Sequence, residues 1–279
     1  MIVTPLAFTL GAEVRGVELA RADDAAVVAL REALGRHLVL VFPGQQMTDD
    51  EFVAASRRFG PLDVPGANPY GEPFHKTHPE INVISNIVEG GRPTGNLGAG
   101  EAVWHADMTY EEDPPVAAIL HALEVPPGIG DTYFADMYRA YAALPDAVKA
   151  EVEGKLAIHD ASHNSAGLRR KGYAEITDVR QTPGARHPLA RTDPRTGRKA
   201  LFLGRRPRSY ILGLPVADSE DLLDRLWAHI ANPDFAMRHR WRVGDAVMWS
   251  NLDVLHRRDG FDPDSRRRLH RTQIRTFAS

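Results

Sequence analysis

Two side chains that bind divalent metals stand two positions apart in Trp104-His105-Ala106-Asp107-Met108-Thr109-Tyr110, a stretch followed by Pro114-Pro115. In an extended strand, residues two apart share a face, so His105 and Asp107 reach toward one ion while Ala106 points away. A His-x-Asp pair arises often by chance among 12 histidines, so alone it carries little. A third ligand is offered by WRVGDAVMWSNLDVLHRR, read as a turn at Val243-Gly244-Asp245, a strand, and His256 just past it. Two imidazoles and one carboxylate on one face of a metal leave three positions open, the arrangement of Fe(II) oxygenases. In SRRRLHRTQIR, an extended conformation puts Arg267, Leu269 and Arg271 on one face and Arg268, His270 and Thr272 on the other. A hairpin-like return from His256 brings Arg267 near that metal, where a guanidinium can clamp a carboxylate through two parallel hydrogen bonds. Without the metal residues, the same basic run reads as a solvated strand face.

The elements that must position these residues are mostly short strands: LVLVF (38–42), INVISNI (81–87), AVMWS (246–250) and LHRTQIRTF (269–277). Helices surround them. Asp23 or Asp24 caps AAVVALREALGR, whose Val27, Val28, Leu30 and Leu34 lie broadly on one face. Thr48 and Glu51 have capping-box spacing at the head of TDDEFVAASRRFG, with Gly60 as its stop. Pro145 reads as the first helical residue of PDAVKAEVEG, and Ser219 or Asp218 as the opening of EDLLDRLWAHIA. Strands and helices do not alternate and no phosphate-cradling glycine motif occurs, which favours an antiparallel sandwich or barrel over a doubly wound nucleotide-binding sheet. Residues 60–80, 88–101 and 159–186, the last with the basic run Arg169-Arg170-Lys171, read as irregular, either lids over a pocket or solvated loops. With no repeat or linker, residues 1–279 read as a single domain with lid segments at about 60–101 and 159–186.

Composition narrows the chemistry. The chain has 279 residues, 43% hydrophobic and 25% charged, enough for one large core. A net charge of −3 and a pI near 6.5 give no electrostatic reason to expect nucleic acid or an anionic membrane as a partner, so any attraction for anions is local. Absence of cysteine removes disulfides, iron–sulfur and thiolate zinc sites and cysteine nucleophiles, leaving His, Asp and Glu for metals. No signal-peptide pattern occurs and no apolar run approaches the roughly 20 residues that span a bilayer, so a cytoplasmic protein is expected. His37, His121, His187 and His229 lie in or beside apolar periodic segments and read as structural, as do Trp104 and Trp249.

Taken together, TPLAFTLGAEVRGVELA, VLVFPGQQMTDDEF, SRRFGPL, WHADMTY, PPGIGDTYFADMYRAYAALP, HPLARTDPRTGRKALFLG, HRWRVGDAVMWSN and RRRLHRTQI resemble the taurine and phenoxyalkanoate dioxygenase family over nearly the whole chain. The resemblance implies a mainly β fold with surrounding helices (α+β) and a double-stranded β-helix (jelly-roll, cupin-like) core. It implies that His105, Asp107 and His256 ligate Fe(II), and that 2-oxoglutarate and O2 are cosubstrates. Thr132 in Gly130-Asp131-Thr132 then hydrogen-bonds 2-oxoglutarate, Arg267 pairs with its distal carboxylate, and Arg271 stands beside the substrate. A carboxylate at position 107 favours hydroxylation over halogenation.

Tyr70, Asn96, Leu97, His163 and Arg206 are further pocket candidates. Taurine fits poorly, because FGPLDVPGANPYGEP offers no sulfonate-binding His before His75 and Glu101 stands where taurine enzymes use an amide. YFADMYRAYAALP and LFLGRRPRSYILGLPVADSE look closer to the phenoxyalkanoate branch. The expected substrate is a small anion: a carboxylate, phenoxyalkanoate, sulfonate or sulfate ester. Tailoring hydroxylation of an amino acid or natural-product precursor, and a non-catalytic metal-binding jelly-roll protein, are the alternatives. The family's habit of forming dimers or tetramers implies a homo-oligomer.

Overall fold

The computed structural model describes residues 1–6, 10–65, 73–100 and 102–278, so Tyr70 and Glu101 lie outside the described residues. The strands that frame the site are β1 (Ile2–Pro5), β2 (Ala12–Arg15), β3 (Val39–Phe42), β4 (Asn82–Ser85), β5 (Asn96–Leu97), β6 (Ala102–His105), β7 (Ala117–Glu124), β8 (Thr132–Asp136), β9 (Ala236–His239), β10 (Ala246–Ser250), β11 (Val254–Arg258) and β12 (Arg268–Ile274). An eight-stranded sheet runs β1-β2-β3-β10-β7-β12-β4-β5, and a four-stranded sheet runs β9-β8-β11-β6. Pairing is antiparallel except between β2 and β3 and between β4 and β5.

The two-residue period of a strand assigns its side chains to two cores. Val39, Val41, Ala118, Leu120, Val247, Trp249 and Leu269 turn toward the four-stranded sheet, where they meet Phe134, Met237 and Leu255. Their neighbours Leu40, Phe42, Ala117, Ile119, Ala246, Met248 and Ile274 turn the other way, onto helices α1 (Asp24–His37) and α2 (Asp49–Arg57). The middle of the large sheet is thus buried on both faces, which is why β3 is apolar at every position. Each such aliphatic or aromatic side chain contributes about 1.5–3 kcal/mol on burial.

The helix signals hold in part. Asp23 caps α1 by accepting from the Ala26 N–H at 2.8 Å, but Val28 is 53% exposed and lies off the buried stripe of Val27, Leu30 and Leu34. At α2 the capping box is complete: Thr48 accepts from the Glu51 N–H (3.2 Å) and Glu51 from the Thr48 N–H (2.8 Å). Helix α3 (Met137–Ala142) follows β8 directly. Pro145 is the cap of α4 (Asp146–Val152) and not its first residue. Helix α5 (Val216–Ile230) starts earlier than Asp218, capped by Pro215; Ser219 lies inside its first turn and accepts from the Ile211 N–H at 2.9 Å.

Two corrections bear on the site. The strand carrying His105 stops there, and Asp107 belongs to the turn that follows, where Met108 takes a left-handed φ of 50°. His256 does not trail the strand 246–250; it is the central residue of a strand of its own, β11.

Candidate active site

Strand register joins what the chain separates. On β11, His256 lies opposite His105 of β6 on one side and Phe134 of β8 on the other, which sets the two imidazole centroids 4.2 Å apart. Asp107 completes the group: its Oδ1 is 3.7 Å from His105 Nε2 and 3.9 Å from His256 Nε2. These separations are too long for hydrogen bonds and suit ligand atoms converging on one ion. Asn251 fixes the Asp107 backbone from β10's end, accepting from its N–H at 2.7 Å and donating to its carbonyl at 2.9 Å. A further bond from Asn251 Nδ2 to the Pro115 carbonyl (2.9 Å) holds the amide in place.

Several details make this a metal site by its own chemistry. His105 Nδ1 donates to the Val103 carbonyl at 2.7 Å, which leaves the Nε2 lone pair for an ion. Burial pushes the His256 pKa down to about 4. His105 is held well below its ordinary value by burial, then by the charges of His256 and Arg205. Both rings are therefore neutral and able to ligate at neutral pH. Asp107 Oδ2 is buried with no hydrogen-bond partner. Two imidazole nitrogens and a carboxylate suit a borderline divalent metal such as Fe(II).

Behind the group lies an inner cavity lined by His105, His256, Thr132, Trp249, Arg258, Arg267 and Arg271 among others. Arg267 is 1% exposed, and its Nε and Nη2 have no hydrogen-bond partner. Burial and the neighbouring charge of Arg258 push its pKa down to about 9. A buried guanidinium left this way calls for an anion. Arg258 is otherwise engaged, donating to the carbonyls of Gly98 and Gly100. Gly130, at φ 70°, lets the backbone pass over Arg267: a Cβ there would meet its Nε and the Phe261 ring at 3.2 Å. Asp131 pairs with Arg238 at 2.6 Å, while Thr132 Oγ1 accepts from the Trp241 indole at 2.9 Å and keeps its proton to donate. Trp241 has no sequence signal that singles it out.

An outer cleft opens from the same group, lined by Asn82, Asn96, Leu97, Asp107, Tyr110, Asn164, Arg170, Arg205 and Arg271 among others. Arg271 donates from Nη1 to Asp107 Oδ1 at 2.7 Å and borders both cavities. Asn96 and Leu97 line this cleft, and Leu97 borders the inner cavity as well. His163 and Arg206 do not line the cleft: His163 Nδ1 turns to Ser162 Oγ (2.8 Å) and Asp160 (3.3 Å), and Arg206 is engaged by Glu220 and Asp224 of α5. Arg205, the neighbour of Arg206, faces the cleft instead. His121, His187 and His229 bond to backbone carbonyls of Gln45, Thr109 and Ala140, in keeping with structural roles. Trp249 is 1% exposed and packs 4.8 Å from the His256 ring. A second His/Asp group is closed on itself, with Asp49 accepting from His75 (2.9 Å) and His270 (2.8 Å).

An enzyme that couples oxidation of a substrate to decarboxylation of a keto acid needs a metal group and a carboxylate clamp across one cavity, and this chain is such an enzyme, a 2-oxoglutarate-dependent dioxygenase. It belongs to the taurine catabolism dioxygenase TauD, TfdA family, whose model matches residues 2–273. It is 36% identical over 279 residues to the alpha-ketoglutarate-dependent 2,4-dichlorophenoxyacetate dioxygenase of Cupriavidus pinatubonensis, covering 97% of this chain and 96% of that one. It is 34% identical over 289 residues to the (S)-phenoxypropionate/alpha-ketoglutarate-dioxygenase of Sphingobium herbicidovorans, covering 98% and 94%. Among solved structures, a taurine dioxygenase from Burkholderia xenovorans matches with a TM-score of 0.78 and 31% identity over 98% of this chain and 88% of that one. Fe(II), 2-oxoglutarate and O2 are accordingly its cofactor and cosubstrates. Among the described residues no helix is long and apolar enough to cross a membrane.

Proposed function

We propose that His105, Asp107 and His256 hold Fe(II), that Arg267 and Thr132 bind the far carboxylate of 2-oxoglutarate, and that Arg271 meets a small anionic substrate. The sheets then form a double-stranded β-helix, a jelly roll, with the metal group at one mouth. The observation that carries this reading is Arg267, a buried guanidinium with two unpartnered nitrogens in the cavity that also holds His105 and His256. A cavity with a metal group and a buried guanidinium whose nitrogens are left unpartnered fits a keto acid with a second carboxylate.

The bound iron supplies the oxidising power, and 2-oxoglutarate leaves as succinate and CO2. This chain's residues do the placing. Arg267 and Thr132 fix the keto acid at one end, while Trp241 orients the Thr132 hydroxyl. Arg271 holds Asp107 in aim and sets positive charge beside the substrate. The outer cleft is bordered by Asn82 of β4 and Asn96 of β5 in the large sheet, by Pro65, and by Asn164, Ser165 and Arg170 of the 159–186 segment, which acts as its lid. The phenoxyalkanoate relatives make an aryloxy-carboxylate the first substrate class to test. Hydroxylation of a carbon that bears oxygen gives a hemiacetal that collapses and frees the phenol.

The test is to incubate the Fe(II) protein with 2-oxoglutarate, O2 and a panel of phenoxyalkanoates, sulfonates and sulfate esters, and to measure succinate against oxidised product. Equal amounts of the two, dependent on Asp107, are expected. Succinate release unchanged in Asp107→Ala overturns the assignment.

A further inference from the structure

The outer cleft holds more positive charge than one anionic group requires. Among the described residues, three guanidiniums, Arg170, Arg205 and Arg271, line it against one carboxylate, Asp107. Arg271 already has that carboxylate at 2.7 Å. Arg205 donates from Nη2 to the carbonyls of Asp160 (3.2 Å) and His163 (2.6 Å), and Arg170 donates from Nη1 to the carbonyl of Ala161 (2.8 Å) with its guanidinium 4.0 Å over the Tyr110 ring. These contacts aim the two side chains, and among the described residues neither has a carboxylate within ion-pair distance. The nearby Asp160 carboxylate is taken by Ser162 and His163.

Several other arginines in this part of the chain do have carboxylates: Arg180 has Asp178, Arg191 has Asp253, and Arg206 has Glu220 and Asp224. Among the described residues Arg170 and Arg205 have none. Burial, and then the charge of Arg170, pushes the Arg205 pKa down to about 10 against the opposing pull of Asp160 and Asp107. Like charges gathered in a half-buried cleft are stabilised when an anion enters between them.

We propose that Arg205 and Arg170 form a second oxyanion subsite in the outer cleft, so that the substrate carries two separate anionic groups, one toward Arg271 and the other toward this pair. The inference rests on the reading of the inner cavity as the 2-oxoglutarate site, because Arg267 then accounts for the far carboxylate of the keto acid and leaves the outer pair to the substrate. Planar guanidiniums held by backbone carbonyls suit a carboxylate, sulfonate or phosphate.

The experiment is anaerobic calorimetric titration of the Fe(II) protein, preloaded with 2-oxoglutarate, with phenoxyacetate and with its meta- and para-carboxy derivatives. The better of the two dianions is expected to bind about tenfold tighter than phenoxyacetate. Arg205→Gln and Arg170→Gln should each bring that ratio to about twofold or less. Arg205→Lys, which keeps the charge, should restore most of the preference and so separates charge from loop structure. Wild-type protein that binds all three compounds alike overturns the subsite, as does a preference that survives both glutamine substitutions. Titration of 2-oxoglutarate itself separates the two readings: if it fails to bind, the inner cavity is misassigned and the subsite falls with it; if it binds without dianion preference, only the subsite falls.

Discussion

Asp107 leaves a turn, not a strand, and its aim depends on Asn251, which is 0% exposed and bonds to both backbone polar groups of Asp107. Asn251→Ala is expected to lower metal affinity by roughly 10–100-fold, the usual effect of removing a group that orients a ligand. It should also cost about 2–4 kcal/mol of stability, since buried donors and acceptors lose their partner. Metal titration and denaturant unfolding measure the two separately. Acidification gives a second residue-level expectation. An unfolded imidazole keeps its ordinary 6.5, whereas His256 in the fold sits at about 4. On lowering pH the unfolded chain takes up the proton first, so the stabilising contribution is full above about 6.5 and is lost between there and about 4. For His256 the loss is roughly 3 kcal/mol. Melting of the chelator-treated protein across that range should show the decline, with a shallower slope in His256→Gln. Residue type placed His105, Asp107 and His256 among the candidates, but the two-residue strand spacing did not, since Asp107 follows the strand in a turn. Arg205 was not legible in the sequence, because adjacent arginines look equivalent until the backbone turns one to the cleft and the other to α5.

Elements explain why small residues matter at this site. Gly130 stands before β8 at a left-handed φ of 70°, against the Arg267 side chain. Gly130→Ala adds about 1–2 kcal/mol of backbone strain and presses on Arg267. The expected result is a KM for 2-oxoglutarate raised about tenfold with substrate KM nearly unchanged; steady-state kinetics with each cosubstrate varied checks it. The capping box of α2 is a purely structural counterpart. Thr48→Ala should lower stability by about 0.5–2 kcal/mol and leave turnover intact, as thermal melts and succinate assays together would show. Strands β3 and β10 were readable because each is an apolar run of strand length beside turn residues. Strand β11 was missed because its polar residues His256, Arg257 and Arg258 disguise an extended segment whose environment is set by β6 and β8. The start of α5 was missed for a related reason: Pro215 and Val216 carry no side-chain cap, so the hydrophilic Asp218-Ser219 pair looked like the boundary.

At the scale of the molecule, a chain with net charge −3 concentrates cations in two adjoining cavities, which is how it attracts anions without a basic surface overall. The pairing of His256 with His105 is a long-range property: strand order and register decide it, and the linear pattern shows only that such residues exist. Family resemblance supplied the triad, Thr132 and Arg267 as expectations, and the fold brings them to one cavity and its mouth. The resemblance did less for the cleft, where His163 and Arg206 turned away and Tyr70 falls outside the described residues. The central claim is that the triad and Arg267 hold the two ends of one 2-oxoglutarate. Anaerobic titration of the Fe(II) protein with 2-oxoglutarate, followed by the weak visible absorption of the chelate, tests it most directly. One equivalent should saturate the band; Asp107→Ala should abolish it, and Arg267→Gln should keep the band but require at least about tenfold more 2-oxoglutarate. A band of undiminished affinity in Arg267→Gln, or an unaltered one in Asp107→Ala, would contradict the account.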